Sequence, residues 1–72
     1  MIKLGKYKHY KGHMCRVIGV ARHSEDHDLE LVIYTHPDEH GKEQLYARPK
    51  EMFESDVEVN GEIMKRFEYL GE

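Results

Sequence analysis

Apolar and polar residues alternate at short intervals along this chain, and no long window carries the three-to-four spacing of an amphipathic helix. The pattern predicts a β domain of short strands. A first strand covers about residues 6–10, with Tyr7, His9 and Lys11 on one face and Lys6, Lys8 and Tyr10 on the other. Lys11-Gly12-His13 then turns the chain into a second strand, Met14 to Arg22. Period two sets Cys15, Val17, Gly19 and Ala21 on one face, opposite Met14, Arg16, Ile18, Val20 and Arg22. Both faces are partly apolar, as in a central strand of a curled or closed sheet, and Gly19 marks a bend or bulge.

Leu29 to Thr35 reads as a third strand, with Leu29, Leu31 and Ile33 opposite Val32 and Tyr34. His36-Pro37-Asp38-Glu39-His40-Gly41 is a hairpin loop, because Pro fixes φ and Gly supplies the positive φ that turns use. Leu45 to Arg48 gives a fourth strand, ended by Pro49, and Lys50 to Phe53 suffices for one helical turn that lowers Met52 or Phe53 onto the core. Asn60-Gly61, between Val57-Glu58-Val59 and Glu62-Ile63-Met64, is the strongest local signal, since a type I′ turn needs positive φ at both central positions. The fold expected is mainly β: a single domain over residues 1–72, built as a small SH3-like five-stranded antiparallel barrel with one short helical turn. An open antiparallel sheet packed with a short helix is the second architecture.

Size narrows the function. A chain of 72 residues buries only about 60% of its unfolded surface, so the core is small and leaves little room for an internal catalytic cavity. A homodimer would ease that shortage. The longest apolar run falls far short of the roughly 18 residues of a membrane span, and the N-terminus lacks a signal-peptide core, so a cytoplasmic location without a membrane partner is expected. Cys15 is the single cysteine, which precludes an intrachain disulfide. Its alternation with Val17 assigns it to the core.

Charge is segregated. Residues 1–23 hold Lys3, Lys6, Lys8, Lys11, Arg16 and Arg22 with no acid, interleaved with Tyr7, His9 and Tyr10. Residues 24–46 hold seven acids against Lys42 alone, although the whole chain is only −3. One end is therefore cationic and aromatic, which favours an anionic or flat partner there. Arg48, before Pro49, and Arg66, before Phe67, add guanidinium groups able to fork onto phosphate or carboxylate, or onto an internal acid. Tyr34 and Tyr46 form a candidate cross-strand pair.

Six histidines fall in three pairs of spacing four: His9 with His13, His23 with His27, and His36 with His40. On a helix such pairs share a face, but in extended chain they lie roughly 13 Å apart. No metal site and no cofactor is expected. Collectively the histidines matter, since full protonation would move the net charge from −3 to +3. His23-Ser24-Glu25 has the residue types of an acid–base set, yet neighbours in an extended chain point apart. The sequence has no HExxH, GxSxG or Gly-rich phosphate loop.

Gly5-Lys6-Tyr7-Lys8-His9-Tyr10-Lys11-Gly12, Val17-Ile18-Gly19-Val20-Ala21-Arg22-His23-Ser24-Glu25, Leu31-Val32-Ile33-Tyr34, Ala47-Arg48-Pro49-Lys50-Glu51-Met52-Phe53 and Arg66-Phe67-Glu68 occur in order across nearly the whole chain. In these blocks the sequence resembles the small bacterial domain of unknown function family 1653. The resemblance implies no particular activity. It directs attention to Tyr7, His9, Lys11, His23, Ser24, Tyr34, Arg48, Pro49, Phe53, Arg66 and Phe67, and the chain departs from the family pattern at His36 to Lys42.

The function expected is a non-enzymatic binding module that recognises or sequesters a small anionic, nucleotide-like ligand in a cationic and aromatic cleft. Its candidate ligand-binding residues are Tyr7, His9, Lys11, His23, Tyr34, Arg48, Phe53 and Arg66. Tyr7, Tyr34 or Phe53 would stack, while Lys11, Arg48, His9 and His23 would meet the charge. An SH3-like nucleic-acid or protein-interaction module is the first alternative. A small enzyme using His23 as acid or base is the second.

Overall fold

The computed structural model describes residues 2–72. In chain order its elements are β1 (Gly5–His9), β2 (Met14–Arg22), β3 (Glu30–Pro37), β4 (Glu43–Pro49), α1 (Lys50–Phe53), β5 (Asp56–Val59), β6 (Glu62–Lys65) and β7 (Phe67–Gly71). The chain is mainly β, with one short helix. Five strands form an antiparallel sheet in the order β4-β3-β2-β1-β7, and β5 pairs only with β6.

The expected closed barrel is not formed. β4 and β7 are the two edges of the sheet and do not pair with each other. Curling nevertheless brings the edges near enough for the Arg48 guanidinium on β4 to lie 5.5 Å from the ring centre of Phe67 on β7. Side chains, rather than backbone hydrogen bonds, occupy the gap. The architecture is thus an open antiparallel sheet with a short helix. The Asn60-Gly61 hairpin forms as expected, with φ of 52° and 83°, but its β6 is exposed throughout and has no apolar face to offer as a barrel wall. The fifth strand of the sheet is β7 instead.

The core lies on the concave face and consists of Tyr7, Cys15, Val17, Val32, Tyr34, Phe53 and Phe67. Tyr7 on β1, Cys15 and Val17 on β2, and Val32 and Tyr34 on β3 follow the strand alternation of buried and less buried positions. A register shift between Val17 and Gly19 is the bulge foreshadowed by Gly19. Beyond it the parity of β2 changes, so Val20 rather than Ala21 stands opposite buried Val32, unlike the uninterrupted alternation expected from sequence.

Helix α1 closes one end of this face. Pro49 (φ −53°) leads into it, Glu54 N–H donates to Lys50 O at 2.9 Å, and Ser55 Oγ donates to Met52 O at 2.7 Å, satisfying the end of the turn. Of the two candidates for the core it is Phe53 that is buried, at 2% exposure, whereas Met52 stays outside. Phe53 stacks on Phe67 at 4.1 Å between ring centres, and Tyr7 meets it edge-on at 5.2 Å. Filling that end with three rings leaves the other end of the concave face open. No helix among the described residues is long and apolar enough to cross a membrane.

Candidate functional site

The strand parity that builds the core continues past it into polar residues. On β1 the position after buried Tyr7 on the same face is His9; on β3 the position after Tyr34 is His36. The register sets Tyr46 of β4 beside Tyr34, Arg48 beside Val32, and Phe67 of β7 beside His9. His13, two residues before Cys15, joins them from the β1–β2 turn. These side chains line an open cleft of about 300 Å³. Among the described residues no acidic side chain borders it.

Its geometry is aromatic and cationic. Tyr34 and Tyr46 stack with centres 5.8 Å apart, confirming the cross-strand pair, and His36 meets Tyr46 edge-on at 6.1 Å. The imidazoles of His9, His13 and His36 follow one another at 6.1 Å and 5.4 Å between centres. Arg48 Nε donates a long 3.5 Å hydrogen bond to the Tyr34 hydroxyl. Among the described residues no carboxylate lies within ion-pair distance of Arg48: the pairs formed are Lys50–Glu30 and His40–Glu39. Burial pushes the His9 imidazole below its ordinary value, and the positive charges of Arg48, His13, Lys11 and Arg66 push it further. Positive potential therefore converges on this end of the sheet.

The turn explains why His9 and His13 meet. The extended-chain separation expected for them is corrected by the fold, since His9 N–H donates to His13 O at 2.7 Å and Gly12 N–H to His9 O at 2.8 Å. Spacing four across a tight turn brings two residues face to face. Among the described residues no three His, Cys, Asp or Glu side chains are disposed to hold a metal ion.

Of the residues singled out from sequence, His9, Tyr34 and Arg48 line the cleft. Lys11 and Arg66 stand close enough to act on the His9 charge. Arg66 Nε also donates to Ser55 Oγ at 2.9 Å. Tyr7 and Phe53 are in the core, and the Tyr7 hydroxyl donates to Lys3 O at 2.7 Å, so neither ring faces the cleft. His23 follows the far end of β2, a nine-residue strand or about 30 Å away from the turn holding His13. There its Nδ1 accepts from Glu25 N–H in a local turn.

Sequence reading missed His13, His36 and Tyr46 as site residues, and Phe67, to which the family resemblance directs attention, was not among the candidate ligand-binding residues. The signals available were positional: His13 across the Gly12 turn from His9, His36 two beyond Tyr34, and Tyr46 as the partner of Tyr34. Tyr46, 40% exposed, is the most accessible of the Tyr and Phe rings lining the cleft, whereas the stacking ring was expected to be Tyr7, Tyr34 or Phe53.

The family model described as protein of unknown function (DUF1653) matches residues 5–69. The chain belongs to the DUF1653 family. A crystal structure of a DUF1653 protein from Bordetella bronchiseptica is similar to it, with a TM-score of 0.85 and 27% sequence identity over 97% of this chain and 88% of that one. No curated protein matches the chain.

Proposed function

We propose that this DUF1653 domain is a non-enzymatic binding module for a small anionic, nucleotide-like ligand held in the cleft between β4 and β7. The observation that carries the reading is Arg48, a half-buried guanidinium in a concavity lined by three imidazoles, with no carboxylate in ion-pair range among the described residues. A guanidinium held by the Tyr34 hydroxyl and the Phe67 ring but by no carboxylate keeps its charge for an external anion, and it forks onto phosphate or carboxylate oxygens. Tyr46 offers a ring face beside it for a base or another flat group, worth about 1–3 kcal/mol if stacked. A volume of about 300 Å³ stands at the small end of ligand pockets, so an anionic head and one ring enter while the remainder stays in solvent. His23 lies outside this arrangement, and the acid–base reading built on it draws no neighbour from the cleft.

Calorimetric titration with adenosine 5′-monophosphate (AMP) tests the proposal. Arg48→Ala should weaken binding by about tenfold or more, as befits loss of a charge-assisted hydrogen bond. His23→Ala should leave it unchanged, and circular dichroism would verify that each variant is folded. AMP failing to bind the wild type, or binding folded Arg48→Ala equally well, would overturn the reading.

A further inference from the structure

The cleft holds one permanent charge, Arg48, and three groups that can acquire one, His9, His13 and His36, on successive ring contacts. A singly charged ligand would be matched by Arg48 alone. A second negative charge beside the guanidinium would find imidazoles on β1, the β1–β2 turn and β3 in position to receive a proton. Resting on the binding reading above, we infer that the cleft selects a dianion of the phosphate-monoester class and that its histidines take up protons together with that ligand.

The surroundings of each imidazole fix the direction of coupling. His9 faces Arg48 from β4, His13 and Lys11 from the turn, Arg66 from the residue before β7, and the uncharged Phe67. Lys8, Lys65 and Glu68 border its other side. In the free protein burial first, and then this mainly cationic company, disfavours a proton on His9, whose Nδ1 already accepts from Lys11 N–H at 3.2 Å and loses that bond on protonation. A bound dianion reverses the sign of the local potential and favours one. His13 and His36 have Asp38 and Glu39 along their outer side. Those acids carry a fixed charge: backbone N–H of Lys42 and His40 and Gln44 Nε2 donate to Asp38 and hold it ionised, and Glu39 lies 3.6 Å from His40 Nε2 in solvent. Neither lines the cleft, so the imidazoles remain its adjustable charge.

Linkage makes the coupling reciprocal, so a ligand that raises the proton affinity of the cleft binds more tightly as pH falls, down to about pH 6, where a phosphate monoester itself takes up its second proton. The test is NMR titration of the six histidine rings between about pH 8 and pH 5. It is run on the free protein, with saturating AMP, a dianion at the upper end of this range, and with adenosine 3′,5′-cyclic monophosphate, a monoanion with the same base. In AMP the midpoints of His9 and at least one of His13 and His36 should rise by about one pH unit, a tenfold change in proton affinity. Those of His23 and His27, at the opposite end of β2, should stay where they were. The cyclic nucleotide should shift none of them and should bind more weakly. If AMP perturbs Tyr46 and Arg48 resonances while the cleft imidazoles move no more than His23 and His27, the binding reading stands and proton coupling is refuted. If AMP perturbs nothing in the cleft at any pH, both fall together.

Discussion

Burial pushes the Cys15 thiol from an ordinary value of 9.0 up to about 11, and burial likewise raises the Tyr7 hydroxyl above its ordinary value. Both groups stay neutral in the folded protein over a range where the unfolded chain ionises. The contribution of Cys15 to stability is therefore fully present below about pH 9 and declines as pH rises through 9 to 11, whereas that of Tyr7 starts to decline only as pH passes its ordinary value of 10.0. The urea midpoint should fall across that window, and Cys15→Ala, although less stable at neutral pH for its lost volume, should show a smaller alkaline decline. An unchanged decline in Cys15→Ala would remove Cys15 from the explanation. The place of Cys15 was legible in the sequence, because alternation with Val17 was enough to assign it to the core. Tyr7 and Phe53 were not separable from ligand-facing rings by the same logic. Tyr7 and His9 have equal parity on one strand, and only the placement of α1 decides which end of the concave face is covered.

Among the elements, β2 with its bulge, the single turn of α1 and the Asn60-Gly61 hairpin follow from local chemistry, and each was readable as such. β7 was not, since its partner is β1 some sixty residues earlier and nothing local announces a pairing of that range. That junction supplies its own test. Gly5 on β1 has φ +131°, and a Cβ added there would approach Gly71 O to 2.5 Å and Gly71 C to 3.1 Å. Backbone on both sides blocks an easy adjustment. Gly5→Ala should cost about 2–3 kcal/mol, lowering the melting temperature by roughly 10 °C or more. Gly19→Ala is the control, because its added methyl meets nothing within 4 Å and its φ is not positive. Equal melting temperatures for the two variants would mean that β7 does not approach β1 as described.

The molecule as a whole separates its positive charge into two places, which the sequence merged into one. Lys6 and Arg16 stand directly opposite each other in the β1–β2 register, on the face away from buried Tyr7 and Cys15, and Lys8 shares that outer face. Like charges so placed repel, and neither Lys6 nor Arg16 has a carboxylate within ion-pair range among the described residues. The cleft draws instead on Arg48 and the histidines. With a net charge of −3, an extended polyanion would be repelled by much of the molecule, whereas the compact ligand proposed here would need to meet only the concavity. Lys6→Ala combined with Arg16→Ala should therefore leave AMP affinity intact. On the proposed reading a single-stranded oligonucleotide should compete with AMP only when it carries a terminal phosphate, because a monoester end would enter the cleft and a continuous backbone would not. Displacement of AMP by an oligonucleotide lacking that phosphate, with a steep dependence on salt that the double variant abolishes, would transfer recognition to the outer face of β1 and β2 and make this domain a nucleic-acid module.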